Sequence, residues 1–104
     1  MGVLTQHSLA IYNVFVPLDQ AKRRRNEKTF PDWEELPDGG RRYAYTVQGR
    51  SGWKARYVKE VDAAENTLKF YQEIYNQRDE LVEVHQKYPV DTGHKPVHGA
   101  RQDR

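Results

Sequence analysis

The sequence predicts a mainly β or α+β fold: a small antiparallel β-meander of four to five strands, with a long N-terminal loop and a disordered C-terminal tail. Two runs carry that prediction. Arg42 to Gln48 sets Tyr43, Tyr45 and Val47 against Arg42, Ala44, Thr46 and Gln48, and Trp53 to Val61 sets Trp53, Ala55, Tyr57 and Val61 against Lys54, Arg56 and Glu60. A period of two is the signature of a half-buried strand. Gly49-Arg-Ser-Gly52 joins the runs, and a short glycine-bearing joint between alternating runs reads as a β-hairpin. The apolar content is rich in Tyr, Val, Trp and Phe, types that suit a pleated surface.

Taken in order, residues 1–8 read as a loose terminus, and Leu9 to Val16 is a β-branched and aromatic run that stops at Pro17. A strand is expected there. Residues 17–40 hold three prolines, the run Lys22-Arg-Arg-Arg25 and the Asp38-Gly-Gly40 turn. They read as a long surface connection, with at most one helical turn around Asp19 to Asn26.

Residues 62–88 admit two readings. As a helix, Asp62-Ala-Ala-Glu65 is a capping box. As strands, Thr67 to Tyr75 and Leu81 to Tyr88 flank the polar turn Asn76-Gln-Arg-Asp79, with Val82, Val84 and Tyr88 toward the core and Glu83, His85 and Lys87 toward water. The strand reading is preferred, because Val, Ile, Phe and Tyr suit a sheet and a lone hairpin is marginal. Residues 89–104 lack periodicity and are expected to be coil that frays after about Pro96. The domain is thus residues 9–95, and 96–104 its tail.

A chain of 104 residues holds one core and not two. With no cysteine, disulfides, thiolate catalysis and cysteine zinc sites are excluded, and a reducing, cytoplasmic setting is the expectation. No apolar run approaches the roughly 18 residues of a membrane span, and no signal-peptide pattern opens the chain. No membrane partner and no cofactor are expected.

Net charge is +2, and the excess comes from the first half of the chain, through Lys22 to Arg25, Arg41, Arg42 and Arg50. In a meander, Arg42, Lys54 and Arg56 share a solvent face with Glu60, Glu73 and Glu83, and Arg41 and Arg50 lie at its edges. Cations beside tyrosine rings suit backbone contact and base stacking on RNA. These five are therefore the candidate nucleic-acid residues.

Val84 to His98 holds three of the four histidines. His85, Asp91 and His94 supply donors of the type that bind divalent ions or move protons, and they are the candidate catalytic residues. Their spacing matches no metal motif, and none is assigned. Asp91-Thr-Gly93 occurs once and reads as a turn whose Asp bonds the backbone two residues on, not as half of a protease dyad.

Tyr43-Ala-Tyr45, Ala-Arg-Tyr57 and the histidine-bearing end at Lys87 to His94 resemble small bacterial proteins of unknown function and the TumE-like toxins of toxin–antitoxin pairs. The resemblance spans about residues 41–95. It implies an RNA-related role with a partner antitoxin, with Arg56, His85 and His94 as the positions of interest. The chain departs from that pattern where Lys-Pro-Val separates His94 from His98, and where Val-Lys-Glu follows Tyr57. A small RNA-associated module is the first functional expectation. A protein-interaction module or homodimer is the second, and a metal-dependent hydrolase the third.

Overall fold

The computed structural model describes residues 19–97. The strand expected at Leu9 to Val16 and the histidine at 98 lie outside them. Six strands form one antiparallel meander in chain order: β1 (Asp32–Glu35), β2 (Arg41–Gln48), β3 (Lys54–Val61), β4 (Thr67–Tyr75), β5 (Leu81–Tyr88) and β6 (Gly93–Pro96). A helix, α1, occupies residues 19–29. The fold is mainly β with one helix, and residues 62–88 form two strands, not a helix.

Three departures from expectation have physical causes. The basic run lies in a helix of several turns, not one. Ala, Gln, Lys, Arg and Glu are strong helix formers, but residues 19–29 have no apolar stripe to reveal them. Phe30 N–H closes the helix on the Asn26 carbonyl at 2.7 Å, and Pro31 ends it. β1 and β6, both absent from the expected strand set, are four-residue edges. β1 is exposed throughout and β6 nearly so, so neither alternates between apolar and polar residues.

Three connections share one geometry. In 36–40, 62–66 and 76–80 the first N–H donates to the fifth carbonyl, and the fourth N–H donates to the first carbonyl. The fourth residues, Gly39, Glu65 and Asp79, all have left-handed φ, as a type I turn closed by a bulge requires. Asp62 and Asn76 reinforce two of these turns by accepting backbone N–H groups on their side-chain oxygens.

Cross-strand partners lie on the same side of a sheet, so the register sorts the faces. One face carries Tyr43, Tyr45, Ala55, Tyr57, Lys59, Phe70, Gln72, Ile74, His85 and His94. There Phe30 packs on Tyr43 and Tyr45, and Tyr45, Tyr57 and Phe70 stack in a row with centroids 4.9 and 6.5 Å apart. α1 covers the end of this face near the β3–β4 turn, and Phe30, Tyr43 and Val61 are its buried cluster. The other face carries Arg42, Ala44, Lys54, Arg56, Val58, Glu60, Tyr71, Glu73 and Tyr75. Ala44 and Val58 are buried beneath its longer side chains.

Candidate functional site

The end of the aromatic face away from α1 holds an apolar cleft of about 490 Å³. Val47, Trp53, Ala55 and Ile74 line it, together with Arg50, Lys54 and His94. That volume falls in the roughly 300–1,000 Å³ range of ligand sites. The hairpin builds it: Val47 pairs with Ala55, and Ala55 with Ile74. The 3₁₀ turn Arg50–Gly52 folds at their end, with Ser51 and Gly52 at left-handed φ. Val47 is 47% exposed, an open apolar side chain at the end of β2, beyond the reach of β1.

Beside the cleft, the sequence-derived histidine residues do come together. His85 pairs with His94 across β5–β6, and their ring centroids are 4.6 Å apart. The His85 ring bonds the Asp91 carboxylate at 2.7 Å through Nε2, and His94 Nδ1 lies 3.2 Å from Glu83 Oε1. A carboxylate partner places the proton of a neutral imidazole on Nε2 of His85, which leaves its Nδ1 as a buried acceptor with no partner. Asp91 Oδ1 also accepts the Gly93 N–H at 2.9 Å, the turn-forming role its sequence suggested. That backbone bond, followed by the one from His85, holds the Asp91 carboxyl below its ordinary range.

Two expectations for this segment need correction. His85 and Glu83 lie on the aromatic face with Ile74 and Gln72, not on the charged one. The cause is an irregular ladder, in which the partners of Ile74 and Tyr75 are Glu83 and Leu81, so Val82 is an extra residue. A bulge of this kind re-aims side chains. Arg56, by contrast, belongs to the opposite face from the histidine pair.

No hydroxyl is hydrogen-bonded to either imidazole among the described residues, and Thr92 Oγ1 is engaged with the backbone of Gln86 and Gly93. Among the described residues, no three His, Asp or Glu side chains gather closely enough to hold a metal ion.

Four of the five candidate nucleic-acid cations meet carboxylates. Arg41 pairs with Glu27 at 2.7 Å, Lys54 with Asp79 at 2.5 Å and Arg56 with Glu73 at 3.1 Å. Arg42 reaches both Glu34 and, at 3.1 Å, Glu60. Arg41 also stacks over the Trp33 ring at 3.9 Å, on the aromatic side and not at the margin of the charged face. Tyrosines extend the network, Tyr71 donating to Glu60 at 2.9 Å and Tyr75 to Glu73 at 3.0 Å. Burial alone would raise the Glu60 carboxyl, but the Tyr71 and Arg42 hydrogen bonds pull it below its ordinary value. Arg50, in the cleft lining, has no ion-pair partner among the described residues.

The cleft escaped sequence reasoning, because Val47, Ala55 and Ile74 come from three strands and read individually as core. The only signal was Val47, an apolar residue beside a turn. No family model, curated protein or solved structure matches the chain, and no helix of the described residues is long and apolar enough to cross a membrane.

Proposed function

We propose that the chain is a non-enzymatic protein-interaction module. Its cleft takes an extended apolar segment of a partner protein flanked by acidic residues. The apolar cleft with a basic residue in its lining carries this reading. The floor of Val47, Ala55 and Ile74 suits aliphatic side chains, and Arg50, which lines the cleft, suits a carboxylate. β6 is the outer strand of the sheet among the described residues, so an extended segment entering beside it can also pair with its outer edge. RNA association is less well supported, because the cations of the charged face are matched by carboxylates held at salt-bridge distance.

Trp53 lines the cleft and reports directly on it. In a Trp33→Phe background, a capped pentapeptide with a Leu-Val-Leu centre and Asp at both ends should shift Trp53 emission saturably. Val47→Glu should abolish the shift, and a Lys-ended peptide should bind at least about fivefold more weakly, as like charges are brought together. Equal binding of both peptides, or an unaffected Val47→Glu variant, overturns the reading. So does a Trp53 signal that tracks protein concentration together with a sedimenting dimer, since the occupant is then a second copy.

A further inference from the structure

At the other end of the aromatic face, between α1 and the β3–β4 turn, lies a polar cavity of about 220 Å³. Lys22, Arg25, Asn26, Lys59, Glu65 and Asn66 line it. It is smaller than the roughly 300–1,000 Å³ of drug-sized sites, so it admits a small group only. The helix supplies Lys22 and Arg25 one turn apart, and β3 supplies Lys59 from beneath.

The single carboxylate in the cavity is already committed. Glu65 is 4% exposed, and its Oε1 accepts from Tyr43 Oη at 2.7 Å and from Asn26 Nδ2 at 3.2 Å. Its Oε2 lies 3.6 Å from the Arg23 guanidinium. None of the three lining cations is in a salt bridge among the described residues, although Lys22 lies near enough to Asp62 to help lower its carboxyl. Lys59 Nζ donates to Asn26 Oδ1 at 2.9 Å and Lys22 Nζ to Asn66 Oδ1 at 3.3 Å. Each ammonium has two further protons to offer. The Arg25 guanidinium has no hydrogen bond or ion pair among the described residues. Burial pulls the Lys59 ammonium below its ordinary range; Glu65 opposes that, and Arg25 adds to it.

Three cations from two elements thus converge on a concave, partly dehydrated space in which the one carboxylate has other partners. An anion placed there gains charge-assisted hydrogen bonds in surroundings less screened than open water. We propose that this cavity binds a terminal phosphate group as its dianion, either free phosphate or the end of a phosphorylated molecule. A phosphodiester carries one charge and two bulky substituents, and is the poorer fit to three cations in a small cavity.

The test is titration of the full chain at fixed ionic strength, followed by amide chemical shifts. The probes are inorganic phosphate, phenyl phosphate and dimethyl phosphate. Inorganic phosphate should bind saturably with a Kd on the order of 1 mM, with shifts centred on Asn26, Lys59 and Asn66. Arg25→Gln and Lys59→Gln should each weaken it about tenfold, which is about 1.4 kcal/mol. Arg25 is exposed, so its variant carries the test even if Lys59→Gln disturbs the fold through Asn26. Tighter binding of phenyl phosphate assigns the site to phosphate esters, and tighter binding of inorganic phosphate assigns it to the free ion. Binding of dimethyl phosphate as tight as phosphate, shifts elsewhere, or unchanged affinity in Arg25→Gln overturns the proposal.

Discussion

His85 and His94 face one another across the last ladder of the sheet, with ring centroids 4.6 Å apart and a carboxylate on each outer side, Asp91 on one and Glu83 on the other. The pair fastens β6 to β5 where only a four-residue edge strand exists to be fastened. Asp91 is the pivot, because one oxygen serves both the His85 ring and the Gly93 amide.

Asp91→Ala should therefore loosen the β5–β6 turn before the rest of the sheet. The Gly93 amide is expected to exchange with solvent at least about fivefold faster, with β2–β4 amides unchanged. The pH dependence follows from the lowered Asp91 carboxyl. A carboxyl lowered by folding stabilises above its ordinary value of 3.8, and that contribution is lost as pH falls through the lowered folded-state value. Gly93 protection should thus decline at the acid end in the parent chain and be flat there in Asp91→Ala. Protection that is unaltered by the substitution would sink this account.

The Tyr43 hydroxyl donates to buried Glu65 in the β3–β4 turn, which also accepts from Asn26 of the helix. Tyr43→Phe keeps the ring against Phe30 but leaves Glu65 short of a donor, a change worth about 1–3 kcal/mol, read from the urea midpoint. Burial, and then the Glu65 hydrogen bond, push the Tyr43 phenol up to about 12 from 10.0. A pKa raised by folding favours the neutral phenol, so its stabilisation is complete below pH 10 and is lost as pH rises toward 12. The phenylalanine variant should show a shallower alkaline decline than the parent. Parallel declines in the two proteins would refute the linkage.

Arg42 and Arg56 separate the interaction-module reading from the RNA reading. Their carboxylate partners Glu60 and Glu73 have side chains only 18% and 15% exposed. Arg42→Gln and Arg56→Gln should each lower stability by about 1–3 kcal/mol, as partly buried carboxylates lose a charged donor. Affinity for a single-stranded RNA at low salt should change less than twofold. A large loss of RNA affinity, with a reduced salt slope and intact stability, would restore these arginines as nucleic-acid contacts.

The central strands were legible because most of β2 and β3 alternates, Val58 and Lys59 being the exceptions in β3, and because Asp62, Asn76 and the Gly39-Gly40 pair announce the turns between β1 and β5. The helix was not, since Lys22, Asn26 and Phe30 form its inward face and only the last is apolar. Its polar face is held by Glu65, a residue 39 positions from Asn26. The histidine segment was legible as a cluster but placed on the wrong side, because one extra residue at Val82 shifts the ladder.

The amino-acid order thus determined the strand count at the centre of the meander, the positions of its turns and the set of charged and histidine residues available for a site. Tertiary structure decided which of them meet. It matched the basic face with carboxylates from neighbouring strands, left Val47, Ala55 and Ile74 open as a cleft, and drew Lys22, Arg25 and Lys59 around one cavity. Those outcomes depend on inter-strand register and on where a helix lands on a sheet. Both are set by contacts between residues far apart in the chain, which local periodicity does not record.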